Sequence, residues 1–157
     1  MQESGQPAGP RPSDWRTSDT IIDALYDVIS VAPGETPDWE RERALFMPGA
    51  RRFKVTTRPD GEVEVRNMSA EDFMEMATPV LKAGFIEREI GRRQERYGHI
   101  VQVFSAYEGL RSEGGPVITR GINSIQLLWD GERWWVASIA WDQETPDNPI
   151  PAEYLAR

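Results

Sequence analysis

The chain has 157 residues, 39% of them apolar and 28% charged, with no Cys, one His and a net charge of −8. That length fits one domain. The absence of Cys excludes disulfides, thiol nucleophiles and Cys-ligated zinc or iron–sulfur centres, and a single His excludes a His-rich metal site, so neither metal nor cofactor is expected. The acid excess opposes the phosphate attraction on which nucleic-acid binders rely, no apolar run approaches the ~20 residues of a membrane span, and the first residues lack the basic and apolar segments of a signal peptide. The sequence therefore reads as a soluble cytoplasmic protein with neither a nucleic-acid nor a membrane partner.

Residues 1–17 read as a disordered lead, broken by Gly5, Pro7, Gly9, Pro10 and Pro12, ahead of a single domain over 18–157. The possible N-caps Thr17, Ser18 and Asp19 precede Ile21, Ile22, Leu25, Val28 and Ile29, the spacing of a helix buried along one stripe. Pro33-Gly34 closes it. A short second helix opens at Thr36-Pro37 and runs through Trp39 to Phe46, where Met47-Pro48-Gly49 stops it.

From Arg51 the period changes to two. Phe53, Val55 and Thr57 alternate with Arg52, Lys54 and Thr56, and Val63 and Val65 alternate with Glu62, Glu64 and Arg66. The turn Arg58-Pro59-Asp60-Gly61 joins them into a hairpin with one buried and one wet face. Ser69-Ala70-Glu71-Asp72 resembles a capping box and starts a third helix, which Pro79 either kinks or ends.

The stretch from Phe85 to Tyr97 suits a helix or a strand, and its Glu87, Glu89, Arg92, Arg93, Glu95 and Arg96 read as a solvated face of mixed charge. Ile100 to Tyr107 is a strand. Two further apolar runs, Ile122 to Trp129 and Trp134 to Trp141, flank Asp130-Gly131, a strong hairpin signal. A two-residue loop there sets Asn123 opposite Ser138 and Leu127 opposite Trp134, and a four-residue loop keeps the same faces because the shift is even.

One face of this hairpin then carries Asn123, Ile125, Leu127, Trp134, Val136 and Ser138. The other carries Ile122, Ser124, Gln126, Leu128, Trp135, Ala137, Ile139 and Trp141. Both are largely apolar, and each Trp buries ~150–250 Å² when covered. Helices can cover one face. A second copy of the chain is the simplest cover for the other, so a homodimer through the outer sheet face is expected.

The order helix, short helix, hairpin, helix and three or four long antiparallel strands resembles the nuclear transport factor 2-like superfamily, in its ketosteroid isomerase and polyketide cyclase-like branch. The resemblance spans roughly Ser18 to Gln143. It rests on Ala44-Leu45-Phe46, on the long strand from Ile100 to Glu108, on Gly121 to Leu128 and on Trp134 to Trp141. It implies an α+β fold in which a cone-shaped, curved antiparallel sheet wraps around three helices and encloses a pocket. The isomerase branch places a Tyr on the first helix, an Asp base on the first strand and a protonated Asp deeper in the sheet. Tyr26 lies close to the first position, but Lys54 falls near the place of the base and no acid stands around Asn123 and Ser124, so that reaction is not implied.

The pocket wall is expected to comprise Tyr26, Ser105, Tyr107, Asn123, Ile125, Trp134, Val136 and Ser138, a few polar groups in an apolar wall being the mark of a small-molecule site. Acid–base work would fall to Tyr26, to His99 or to a carboxylate without an assigned position, while Asn123 could polarise a carbonyl. Two functions stay open: a small-molecule pocket protein acting as an isomerase, dehydratase or cyclase-like enzyme on a small apolar substrate, and a non-catalytic homodimeric binding or assembly module.

Overall fold

The computed structural model describes residues 8–155. In chain order these form α1 (Ser18–Val28), α2 (Trp39–Leu45), β1 (Phe46–Thr57), β2 (Val63–Met68), α3 (Ala70–Lys82), β3 (Ile86–Tyr97), β4 (Ile100–Leu110), β5 (Val117–Trp129) and β6 (Trp134–Gln143). The strands make a single curved sheet in the order β2-β1-β6-β5-β4-β3, with the three helices packed against it. One pairing departs from the antiparallel expectation: β1 runs parallel to β6, with Arg52 beside Ile139 and Lys54 beside Trp141. A parallel neighbour needs a long crossover, and everything from β2 to β5 supplies it.

The helices start where side chains satisfy their first amide groups. Thr17 and Thr20 form a reciprocal capping box on α1 at 3.0 and 3.1 Å, and Ser69 and Asp72 form another on α3. Asp38, two residues past the expected opening, caps α2 through the Arg41 amide. The helix α3 continues through Pro79 to Lys82. The helix α2 ends at Leu45, one residue short of the expected end, and Met47-Pro48-Gly49 lies within β1, where the pairing with β6 is irregular. Of the lead expected to be disordered, residues 1–7 lie outside the described residues. The rest packs: Pro12–Trp15 is a 3-10 turn whose buried Asp14 takes the Arg41 guanidinium at 2.8 and 3.0 Å.

The inward stripe of α1, Ile21, Ile22 and Leu25, closes one end of the sheet over Val101, Val103, Leu127, Trp134 and Val136. Each such side chain contributes roughly 1.5–3 kcal/mol on burial.

Two bulges decide what faces that core. The β5–β6 loop spans four residues, and Trp129 pairs with Trp134 and Leu127 with Val136, on the expected faces. The register then slips, so that the next pairs are Gln126 with Ser138 and Ile125 with Ile139. Ala137 is the extra residue, and everything beyond it changes side. Ser138 therefore leaves the inner face, whereas Ile139 and Trp141, expected outside, turn inward. On β3, Ile90 is extra between Glu89 and Gly91 and does the same, putting Glu87, Glu89 and Arg92 inside and Arg88 and Arg93 outside.

In the β1–β2 hairpin the charged row is the inner one. Arg52 is 2% exposed, while Val63 and Val65 stand 65% and 61% exposed on the outer face. Over β3 and β4 that outer face is covered by the chain's own 3-10 turn Ala152–Tyr154. A Cβ at Gly91 would lie 1.9 Å from the Tyr154 carbonyl oxygen, so only glycine lets this turn settle there.

Candidate functional site

Beyond the closed end, the inner sheet face, α1 and α3 leave a cavity of about 330 Å³. Leu25, Met76, Leu81, Ile125, Ile139 and Trp141 make most of it apolar. The Trp141 ring is held by an edge contact to Phe73 at 6.0 Å, which in turn meets Trp39 at 5.8 Å.

Into this wall project two polar groups of side chains. The first comes from α1, β3, β4 and β5. The Asn123 amide donates to the Tyr26 hydroxyl and to Glu87 Oε1, each at 3.2 Å. The Tyr26 hydroxyl lies 2.5 Å from Ser105 Oγ, and Ser105 in turn bonds the Glu89 carboxylate, which is ion-paired with Arg92. A carboxylate can only accept, so Ser105 gives its proton to Glu89 and receives that of Tyr26. The chain thus runs one way, from Asn123 through Tyr26 and Ser105 to Glu89. Glu87 is pinned from behind: its amide donates to Ser30 Oγ at 3.1 Å, and Ser30 caps the end of α1 by donating to the Tyr26 carbonyl at 2.8 Å.

Burial lifts the Glu87 carboxyl to about 7, against the lowering effect of the Asn123 hydrogen bond. Burial, then the Glu87 charge, pushes the Tyr26 and Tyr107 phenols well above their ordinary range. Both phenols hence stay protonated at neutral pH, and Glu87 is the group that changes charge there. Tyr107 faces the cavity beside Thr119. It fits because Gly121 stands opposite: a Cβ there would lie 2.5 Å from the Tyr107 oxygen.

The second polar group comes from α2 and β1. Arg52 donates to Glu42 Oε1 from Nε and Nη2 at 2.9 and 2.5 Å and lies 3.7 Å over the Phe46 ring. Glu42 Oε2 is buried without a hydrogen-bond partner among the described residues. Lys54 lines the same side of the cavity.

Of the eight expected wall residues, Tyr26, Tyr107, Asn123 and Ile125 line the cavity. Ser105 is fully buried behind Tyr26. Trp134 and Val136 belong to the closed core rather than the wall, with Trp134 packed on Trp129 at 5.6 Å. Ser138 is on the outer face. His99 sits exposed in the β3–β4 turn, away from the cavity, where its carbonyl accepts the Trp129 amide. Both N–H groups of Asn123 are already engaged, so its amide orients Glu87 and Tyr26 instead of pointing free into the cavity.

The missed residues are Glu87, Glu42 and Arg52. The i, i+2 spacing of Glu87 and Glu89 is that of one strand face, but only pairing with Tyr107 shows which face. Among the described residues no cluster of three or more His, Asp or Glu could hold a metal ion, and no helix is long and apolar enough to cross a membrane.

No protein-family model and no curated protein matches the sequence. Solved structures do match the fold. A nuclear transport factor 2-like protein of unknown function from Silicibacter pomeroyi is 17% identical, with a TM-score of 0.52 over 82% of this chain and 99% of that one. A candidate ketosteroid isomerase from Shewanella frigidimarina is 13% identical, with a TM-score of 0.53 over 78% and 91%. A candidate association domain of a calcium/calmodulin-dependent kinase II from Exiguobacterium sibiricum is 12% identical, with a TM-score of 0.54 over 82% and 91%. At these identities the likeness is one of fold: the chain has the nuclear transport factor 2-like fold.

Proposed function

We propose that the protein is a proton-transfer enzyme of the isomerase, dehydratase or cyclase type, acting on a small apolar molecule that carries a carbonyl or hydroxyl oxygen. The observation that carries this reading is Glu87: a carboxyl beside an apolar cavity, lifted by burial to about 7 and held by Asn123. A base with that affinity for a proton works near neutral pH, where it can both take a proton from carbon and return it. Tyr107, protonated throughout, is the donor for the substrate oxygen on which charge develops. Tyr26, Asn123 and Ser105 position Glu87 and supply a polar contact that does not ionise. Fold alone does not choose among the three reaction types.

The test is exchange at carbon. Cyclic enones and β,γ-unsaturated ketones incubated with the protein in D2O should gain deuterium next to the carbonyl, as followed by proton NMR, and Glu87→Gln should abolish the gain. Exchange that survives in Glu87→Gln, or no exchange above the buffer rate with the wild type, ends this reading.

A second reading, a homodimer joined through the outer sheet face, is favoured by one observation: Phe53, Val55, Val63 and Val65 share the outer face of β1 and β2, with the two β2 valines largely exposed. Their neighbours Ser124, Gln126 and Ser138 are polar, so the contact would centre on β1–β2 and not on the last hairpin. An association domain is among the proteins with this fold. Light scattering at micromolar concentration should give twice the chain mass, and Val65→Glu should return it to one.

A further inference from the structure

Resting on the reading of the cavity as a small-molecule site, we infer that its ligand carries a carboxylate, seated between Lys54 and Arg66 at the end of the cavity away from Glu87. The two cations are direct cross-strand partners on the inner face of β1 and β2. Opposed like charges destabilise a strand pair, and such a pair is retained at a loss unless something anionic lies between them. Neither forms an ion pair among the described residues.

The surrounding acids are engaged elsewhere. Glu42 binds Arg52, Glu64 binds Arg58, and Asp72 is tied to the Ser69 cap, influencing Arg66 only at longer range. Arg52, though closer to the core, is neutralised by Glu42 and is not available to a ligand. What remains is one half-buried ammonium on the cavity wall and one exposed guanidinium beside it, in a chain whose net charge is −8. In so acidic a chain two cations side by side at a cavity edge, neither in an ion pair among the described residues, make a local reversal of the field, and a field of that sign recruits anions.

The geometry also gives the ligand its length. In the sheet order, β6, β5 and β4 lie between β1, which carries Lys54, and β3, which carries Glu87. That is about 19 Å along the sheet surface and less across its curved interior. The apolar wall of Ile125, Ile139 and Trp141 lies between the two ends. The ligand class is thus an elongated apolar carboxylic acid whose reacting oxygen or C–H reaches Glu87, while its carboxylate stays at Lys54 as a handle that takes no part in the chemistry.

The matched pair 4-phenylbutanoate and 4-phenylbutanamide, alike in shape and differing in charge, tests this by isothermal titration calorimetry at pH 7 and low salt, with Ile118, Ile125 and Ile139 methyl resonances reporting the site. The acid should bind tighter than the amide by about tenfold or more, the scale of one charge-assisted contact. The double variant Lys54→Met with Arg66→Met should bind acid and amide equally, its unliganded Ile21 and Ile22 methyl resonances showing that it is folded, and Lys54→Arg should keep the preference. Equal binding of acid and amide to the wild type, or a preference that survives in the double variant, overturns the carboxylate inference while the cavity reading stands. No shift of the cavity methyls with either compound overturns both.

Discussion

Asn123 and Glu87, separated by 36 residues and by the strand β4 with a turn at each end, meet at 3.2 Å because each stands on the inner face of the same sheet. The amide can offer a proton to the carboxylate whether or not Glu87 is ionised, but it favours the ionised form. Burial opposes it and wins, and the balance leaves Glu87 near 7.

A stability signature follows from that balance. Between the ordinary glutamate value of 4.5 and about 7, the folded protein keeps a proton that the unfolded chain has released. Stability therefore falls as the pH rises through this window, and the loss is complete above it. Glu87→Gln removes the titration. At pH 8 urea unfolding should find the variant more stable by about 2 kcal/mol, a figure reduced for the carboxyl's partial exposure, and below pH 4 the two should coincide. A constant difference across pH 4 to 8 would mean that Glu87 does not titrate as described.

The Glu42–Arg52 pair is a second measurable balance. Glu42→Ala leaves the Arg52 guanidinium buried and uncompensated and should cost about 3–5 kcal/mol. The double variant Glu42→Leu with Arg52→Met removes both charges and should recover most of that loss. Thermal unfolding of the three proteins decides it; a double variant no better than Glu42→Ala would show that packing, not charge, holds the site.

Gly121 gives a steric prediction. A Cβ there would meet the Asp142 carbonyl at 2.3 Å as well as the Tyr107 hydroxyl at 2.5 Å. Gly121→Ala should cost about 1–3 kcal/mol and displace the Tyr107 ring, seen as a changed ring environment by NMR. An unshifted Tyr107 would separate the glycine from the site.

His99 supplies the contrast. Exposed in a turn, it should tolerate replacement by Gln within about 0.5 kcal/mol, with no effect on ligand binding or deuterium exchange.

Much of the architecture was legible in residues. The stripe Ile21, Ile22, Leu25 on α1, the capping residues Thr17 and Ser69, the Asp130-Gly131 turn and the long strand after Ile100 all act through local rules, and the fold obeys them. Tyr26 was legible as a cavity residue from its place on the α1 face, and Asn123 and Ile125 because β5 carries no extra residue between them and the Asp130-Gly131 turn from which their face was read. The rest depended on two single residues. Ala137 and Ile90 look like ordinary strand residues, yet as bulges they reverse every face beyond them. Ser138 was thereby misplaced, and Glu87 and Glu89 read as solvated. The inward row of Arg52 and Lys54 was hidden for another reason: alternation says that two faces differ but not which one the cavity claims, and a cavity can claim the charged one.

The parallel pairing of β1 with β6 joins the earliest strand of the chain to the latest. Until β6 has left the ribosome, the β1–β2 hairpin has no neighbour on its inner edge, and Lys54 and Arg52 stand apart from Tyr107, Asn123 and Glu87. Contacts of such long sequence separation form late and slowly. The β2 valines, exposed even in the finished fold, then stand beside an unpaired β1 edge during synthesis, so a chain cut short before Trp134 should aggregate rather than form a smaller folded protein.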